Sequence, residues 1–595
     1  MSTPATENRK LDPVALAASL ASAAEKSAKV MGEFASRNAA LPSDELGLGK
    51  AFMELSAQML TNPARLAESQ MNLWWDYMNL WQSSMLRLMG GNAAPVVVPA
   101  QGDKRFKHED WHEHFLFDYI KQSYLIAARW MHDQVASVDG LDEHTKKKVD
   151  FFTRQYIDAL APSNFALTNP EVFRETVASG GQNLVKGLNN LLGDIERGGG
   201  QLRISMTDAK AFELGVNIAT TPGKVVFQNE LMQLIQYEPT TKKAWKRPLL
   251  IIPPWINKYY ILDLREKNSF MRWAVSEGFT TFVVSWVNPD EKLAHKNFDD
   301  YLTQGTLAAL DAVEKATGEP DANVIGYCLG GTLLAATLGH LAAKKEKKVA
   351  SATFMTSLLD FTEAGEMDVF IDEDQIASLE RKMNERGYLE GSEMATTFNM
   401  LRANDLIWSF VINNYLLGRD PFPFDLLHWN CDSTRMPAAM HSYYLRNMYM
   451  NNLLREPGAL TLGGTKIDLA KVTTPAYFVS AIEDHIAPWK TTYAGTSLLG
   501  GKNRFVLSGS GHIAGMVNPP AANKYGYWTN DKLPDQPDEW FANAKQHEGS
   551  WWRNWREWMT PYLGREVPAR VPGKGKLKVI EAAPGTYARI RADAK

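Results

Sequence analysis

From about residue 200 onward, short apolar runs alternate with longer stretches of helical spacing. Leu249-Leu-Ile-Ile252 is uniformly apolar and stops at Pro253-Pro254, which predicts a buried strand. Ser269 to Glu277 reads as a helix, Thr280 to Trp286 as the next strand, and Tyr301 to Thr317 as the next helix. Asn323 to Tyr327 predicts a further strand, Leu329 to Ala343 a Leu- and Ala-rich helix, and Val349 to Leu359 another strand. Apolar periods of 2 and 3.6 alternate, so the economical topology is a parallel sheet with helices on both faces. The alternation stops near Phe361 and resumes with Ala476 to Ser480, a helix near Thr491 to Leu499, and Arg504 to Leu507.

The interruption is helical and aromatic, with Trp408, Phe410, Tyr415, Phe422, Phe424, Trp429, Tyr443, Tyr444 and Tyr449. An excursion this long between two core strands predicts a cap or lid. Before residue 200 the pattern is helical throughout. Val14 to Ala24 reads as an Ala-rich helix opened by Asp12-Pro13, without the positive lead-in of a signal peptide. Trp74, Tyr77, Met78, Trp81, Met85 and Leu88 share one face of a helix, which packs on the protein's own core or docks onto a partner or apolar surface. Six segments result: a helical stretch over 1–90 making partner contacts, a linker and helical domain over 91–200, core over 201–361, cap over 362–469, core again over 470–564, and an extended tail over 565–595.

Composition changes this picture little. The 595 residues are 45% hydrophobic and 22% charged with a net charge of −4, ordinary for a globular protein of two or three domains. No basic face or binding module points to nucleic acid. No apolar run is long enough to span a membrane as a helix. Two cysteines, Cys328 and Cys431, allow no disulfide framework and fit a reducing cytoplasm.

The candidate chemistry centres on Gly326-Tyr-Cys328-Leu-Gly330, the nucleophile-elbow pattern with Cys in place of Ser. A sharp strand-to-helix turn lifts the sulfur out at the C-terminal edge of the sheet. The Leu329 N–H, at the start of the helix, then faces a developing oxyanion, and the helix dipole favours a thiolate. Asp484 and His512 follow in the chain order Cys–Asp–His of the α/β-hydrolase triad. Asp484 lies just past a strand end, with Glu483 as its competitor. His512 follows the last strand on a loop of small residues suited to swing its imidazole over the sulfur. Pro253 and Pro254 have no N–H, so a second oxyanion donor falls to Trp255 or Ile256, and Leu329 with Ile256 is the pair carried forward. The fold expected is α/β, of the α/β-hydrolase kind, with a helical aromatic-rich cap and a helical N-terminal domain.

Cysteine at the elbow narrows the reaction. A thiolate attacking an oxygen ester must expel the worse leaving group, whereas exchange with a thioester is nearly balanced. The acyl group on Cys328 then stays activated and passes downhill to an alcohol. This predicts acyl transfer from a thioester such as an acyl-CoA, under a cap that excludes water. The rival is a thioesterase on the same fold.

Five motifs resemble those of the class I polyhydroxyalkanoate synthases: Pro253-Pro-Trp-Ile-Asn-Lys-Tyr-Tyr-Ile-Leu-Asp263, Gly326-Tyr-Cys-Leu-Gly-Gly331, Phe424-Asp-Leu-Leu-His-Trp-Asn430, Glu483-Asp-His-Ile-Ala-Pro-Trp489 and Gly511-His-Ile-Ala-Gly-Met-Val-Asn-Pro-Pro520. The resemblance runs from about Asp103 to Arg570. It implies polymerisation of (R)-3-hydroxyacyl-CoA, such as 3-hydroxybutyryl-CoA and similar short-chain monomers, into storage polyester with release of CoA. It further implies Cys328 as the chain-bearing nucleophile, His512 as base and Asp484 as its partner. No cofactor or metal is implied, coenzyme A thioester being the substrate. Partners implied are the growing polyester, a second copy in a homodimer and granule-associated proteins, at the surface of cytoplasmic granules. Trp255 and Cys431 depart from the family's usual smaller residue and Ser. Asp263 and Trp429 match motifs of the family but read equally as strand-end hydrogen bonding and cap packing, His485 orients its loop or touches the substrate, and Lys344-Lys-Glu-Lys-Lys348 reads as a solvated helix end ahead of a site for the CoA phosphates. A polyester hydrolase of the same fold and a non-catalytic granule-coating protein are the further rivals.

Overall fold

The computed structural model describes residue 26 and residues 46–592. The Ala-rich segment 14–24 lies outside the described residues. The chain forms two compact units, one of residues up to 208 together with 398–422, the other of 209–397 with 423–595.

The first unit is helical. Helix α1 (Leu48–Leu60) is followed by α2 (Pro63–Leu88), which opens with Asn62 accepting from the Arg65 N–H and proline at its first position. Then come α3 (Phe115–Ala136), α4 (Glu143–Ala159) and α5 (Gln182–Arg197). In α2 the predicted aromatic face divides. Leu80 is buried and the Tyr77 hydroxyl donates to the Ser123 carbonyl of α3, whereas Trp74, Trp81 and Leu88 are exposed. The face that packs is thus offset from the one with the largest side chains. Residues 398–422, inside the aromatic insertion, lie on α5. A Cβ on Gly187 would sit 1.7 Å from the Tyr415 carbonyl, so only glycine permits this approach. The Tyr415 hydroxyl donates to Asp194 at 2.6 Å, and the Asn183 amide donates to the Leu416 carbonyl at 2.8 Å.

The second unit is built, among the described residues, on an eleven-stranded sheet. In chain order the strands are β1 (Gly223–Gln228), β2 (Met232–Tyr237), β3 (Leu249–Ile252), β4 (Thr281–Trp286), β5 (Ala322–Tyr327), β6 (Val349–Met355), β7 (Ala476–Ala481), β8 (Asn503–Ser508), β9 (Tyr527–Thr529), β10 (Lys545–His547) and β11 (Glu581–Ala582). Their spatial order is β10-β9-β8-β7-β6-β5-β3-β4-β2-β1-β11. The six central strands, β8 to β4, are parallel, and they are the six found in the sequence. The flanking strands pair antiparallel. β6 ends at Met355, earlier than the apolar run does, because Thr356 takes φ 43°. The central strands are buried on both faces, as uniformly apolar strands covered by helices must be. After Gly564 the chain is mostly irregular, but it pairs with Lys243–Trp245 and with β1 and ends in a short helix, Gly585–Arg589.

Candidate active site

Between β5 and helix α6 (Leu329–Lys344) the chain reverses within one residue. Cys328 takes φ 52° and ψ −120°, a conformation that L side chains rarely adopt. Its N–H donates to the Met355 carbonyl of β6 at 2.9 Å, which anchors the turn to the sheet. Two glycines permit it. A Cβ on Gly326 would lie 2.5 Å from the Gly331 Cα, and one on Gly330 would lie 2.0 Å from the Ile252 carbonyl. The second contact sets the start of α6 against the end of β3, and so against the loop from Pro253 onward. Cys328 is half-buried.

Asp484 and His512 leave the C-terminal ends of β7 and β8, which pair in parallel, so both loops open at the edge where Cys328 emerges. His512 Nδ1 lies 2.7 Å from Asp484 Oδ2. The other carboxylate oxygen accepts the Ile486 and Ala487 N–H groups, both at 2.9 Å, which fixes the carboxylate plane. Asp484 is buried and Glu483 exposed, so the loop turn separates the two competitors. The imidazole is buried, and the Cys328 side chain is near enough to act on its charge. Burial disfavours its charged form, but the Asp484 carboxylate and the Cys328 side chain outweigh that and raise its pKa to about 10.

The His512 loop is braced. The Trp551 indole donates to the Gly515 carbonyl and the Trp552 indole to the Met516 carbonyl, both at 2.9 Å, and Ser508 Oγ reaches Gly515 at the same distance. Its small residues allow close approach: a Cβ on Gly515 would lie 2.7 Å from the Gly509 carbonyl. Tyr327, next to the nucleophile, stacks on the imidazole at 5.9 Å and donates to the His512 carbonyl at 3.3 Å. Neither Tyr327 nor the indole braces enter the sequence reading, although Tyr327 stands inside the elbow motif.

The Leu329 N–H is the first of α6 and, like that of Ile256, donates to no acceptor of the chain among the described residues. The loop carrying Ile256 is held by residues 429–435. Thr434 Oγ1 donates to the Trp255 carbonyl, and the Thr434 N–H donates to the Ile256 carbonyl at 3.0 Å. The Trp255 carbonyl and the Ile256 N–H belong to one planar trans peptide and point opposite ways. Fixing the first therefore aims the second. Trp255 itself is buried among Phe298, Tyr301 and Tyr444, its ring centroid 5.2 Å from that of Tyr301 and 5.9 Å from that of Tyr444.

Aromatic residues of the insertion cluster near Cys328. Tyr444 and Tyr449 pack against each other at 5.8 Å and against Phe361 at 6.0 and 5.0 Å, and the Tyr444 hydroxyl reaches Thr332 of α6 at 3.4 Å. Burial pushes both phenol pKa values up, and the Cys328 side chain adds to the rise in each.

The remaining motif residues stand apart from this cluster. Asp263 is buried at the end of the short helix Tyr259–Leu262, not at a strand end, and accepts from Thr221 at 2.5 Å and Ser269 at 2.6 Å. The Trp429 indole donates to the Lys258 carbonyl at 2.7 Å. Lys344, Lys345 and Lys347 are exposed, and Lys348 pairs with Asp311.

A parallel sheet with a strand-to-helix elbow, Asp484 and His512 all at its C-terminal edge defines an α/β-hydrolase fold, and residues 248–519 match the model of that fold. Residues 102–274 match the family described as poly-beta-hydroxybutyrate polymerase (PhaC) N-terminus. A poly(3-hydroxyalkanoate) polymerase of Methylorubrum extorquens is 50% identical over 90% of this chain and 88% of its own. The subunit PhaC of the polymerase of Rhizobium meliloti is 49% identical over 98% and 96%, and that of Cupriavidus necator 42% over 89% of each. The chain belongs to the poly(3-hydroxyalkanoate) polymerase family, a family of acyltransferases.

Proposed function

We propose that the protein polymerises (R)-3-hydroxyacyl-CoA into polyester through an acyl thioester on Cys328. The observation that carries this reading is the buried Asp484–His512 pair beside a half-buried Cys328 set at a strained elbow. In the resting site His512 holds the thiol proton, forming an imidazolium–thiolate pair that Asp484 stabilises. The thiolate attacks the thioester carbonyl. The oxyanion is met by the Leu329 and Ile256 N–H groups. The intermediate expels CoA, whose sulfur takes the proton from His512, and the acyl group remains on Cys328.

Acylation removes the negative charge from the sulfur, and with it one of the interactions that raise the His512 pKa. The imidazole is then a competent base. It takes the proton of a 3-hydroxyl group, whose oxygen attacks the Cys328 thioester. An oxygen ester forms, the C–S bond breaks, and the thiolate returns beside the imidazolium. These steps need no metal or cofactor.

The cage of Trp255, Phe361, Tyr444 and Tyr449 supports two further parts of the reading. It keeps water from the activated acyl group, and its bulk favours short-chain monomers such as 3-hydroxybutyryl-CoA. The polymer places the enzyme at the surface of cytoplasmic granules, working as a homodimer alongside granule-associated proteins. Among the described residues no helix is long and apolar enough to cross a membrane. Incubation of purified protein with 3-hydroxybutyryl-CoA tests the proposal. Polymer accompanying CoA release supports it, and free 3-hydroxybutyrate in place of polymer overturns it in favour of a hydrolase.

A further inference from the structure

Lys258 lies two residues beyond Ile256 and is 3% exposed. A buried ammonium is costly unless its hydrogen-bonding capacity is met. Here Nζ donates to the Tyr587 carbonyl at 3.1 Å and the Ile590 carbonyl at 2.6 Å, at the C-terminal end of helix Gly585–Arg589. A helix end leaves such carbonyls without partners, and its dipole favours a cation. Burial pulls the Lys258 pKa down to about 8, opposed by Asp432 and reinforced by Arg591. A lysine in this position does nothing for the elbow directly, and the catalytic steps above do not use it.

Its surroundings connect it to the loop that bears the second oxyanion donor. The Lys258 carbonyl takes the Trp429 indole N–H, and the Tyr260 hydroxyl donates to Asp432 at 2.9 Å. Arg435, next to the Thr434 that orients the Trp255–Ile256 peptide, donates to the Ala592 carbonyl at 3.0 Å. The 581–592 segment is itself tied to the sheet. Glu581 pairs with Val225 of β1 and accepts from Gln233 at 2.6 Å, and the Tyr587 hydroxyl donates to the Asn229 carbonyl at 2.7 Å. Residues 255–260, 429–435 and 585–592 thus form one bonded cluster, with the Lys258 ammonium and Arg435 as its links to the last of these.

We propose that Lys258 is a positioning residue, fastening the 585–592 segment to the oxyanion loop so that the Ile256 N–H is held toward the acyl carbonyl. The proposal rests on the acyl-Cys328 reading above. A donor aimed at the oxyanion acts in the transition state, so its misplacement slows acylation and leaves ground-state binding alone.

The test uses the full chain, Lys258→Met, Lys258→Arg, and a variant ending at Pro584, alone and combined with Lys258→Met. Single-turnover acylation of Cys328 by 3-hydroxybutyryl-CoA is followed by mass spectrometry, with steady-state KM and a thermal melt for each protein. The expected result is a roughly 10- to 100-fold slower acylation in Lys258→Met with KM within about twofold, the scale of a misplaced group. Lys258→Arg restores part of the rate, and in the truncated chain, which has already lost the segment the lysine holds, Lys258→Met adds no further loss. Acylation at the wild-type rate in a folded Lys258→Met, or losses that multiply on truncation, overturns the proposal. If the truncated chain does not fold, the Met and Arg variants decide the matter alone. A wild-type protein that never carries acyl on Cys328 overturns the catalytic reading itself, and this inference with it.

Discussion

His512 Nδ1 and Asp484 Oδ2 stand 2.7 Å apart, on loops that leave two neighbouring parallel strands at the same edge of the sheet. The carboxylate is fully buried and takes two further backbone N–H groups, so its orientation is set before the imidazole arrives. An ionised Asp484 favours the tautomer with the proton on Nδ1.

The first prediction follows from that orientation. Asp484→Asn offers Nδ1 the wrong partner and weakens support for the imidazolium. Polymer formation should fall by about 10³- to 10⁴-fold, the loss seen when an orienting acid of this kind is neutralised. Glu483→Gln, on the exposed neighbour, should leave the rate unchanged. CoA release measured for both variants checks the contrast, and equal losses would sink the assignment of Asp484.

The second concerns pH. The folded-state pKa of His512 is about 10, raised above the ordinary 6.5 by Asp484 and Cys328 against the effect of burial. The native state therefore favours the protonated ring. Its stabilising contribution is fully present below about pH 6.5 and is lost as pH rises through about 10. In Asp484→Asn the His512 titration seen by NMR should move down toward its ordinary position, and Tm should decline less steeply between pH 7 and 10. A wild-type ring that titrates near 6.5 contradicts the arrangement described.

Strain at the nucleophile supplies the third. Cys328 holds φ 52° and ψ −120°, a conformation natural to glycine. Cys328→Gly should raise stability by about 1 kcal/mol, within the range for backbone strain of this kind. It should also abolish polymer formation, as should Cys328→Ala. Cys328→Ser should keep the fold and little activity. Urea unfolding paired with an assay for CoA release reads both effects, and a less stable glycine variant would show that no strain is stored there.

The fourth addresses the contact between the elbow and the oxyanion loop. Gly330→Ala places a methyl group 2.0 Å from the Ile252 carbonyl. Backbone must shift, at a cost of about 1–3 kcal/mol, and the Leu329 and Ile256 N–H groups move apart. Reduced Tm together with a fall in kcat larger than any change in KM is the expected outcome.

Much of this arrangement is legible in the sequence because it rests on local constraints. The six central strands are short apolar runs, and the elbow needs its residues at adjacent positions, so both are written contiguously. Asp484 and His512 could be found because loops after parallel strands all open at one edge, and chain order then suffices to bring them together. The five antiparallel flanking strands β1, β2, β9, β10 and β11 escape notice because their pairing is decided by distant partners, and a six-residue run such as Gly223–Gln228 carries little signal of its own.

The amino-acid sequence by itself determined where Cys328, Asp484 and His512 stand, since each sits in a motif whose geometry follows from neighbouring residues. Only the tertiary structure decided what aims and shelters them. Thr434 fixes the peptide that carries the Ile256 N–H, Trp551 and Trp552 brace the His512 loop, Lys258 reaches Tyr587 and Ile590, and residues 398–422 pack with the helical unit rather than the sheet. Those contacts join segments tens to hundreds of residues apart. Hydrogen bonding and burial at such separations depend on how the whole chain folds, and no local pattern of residues encodes them.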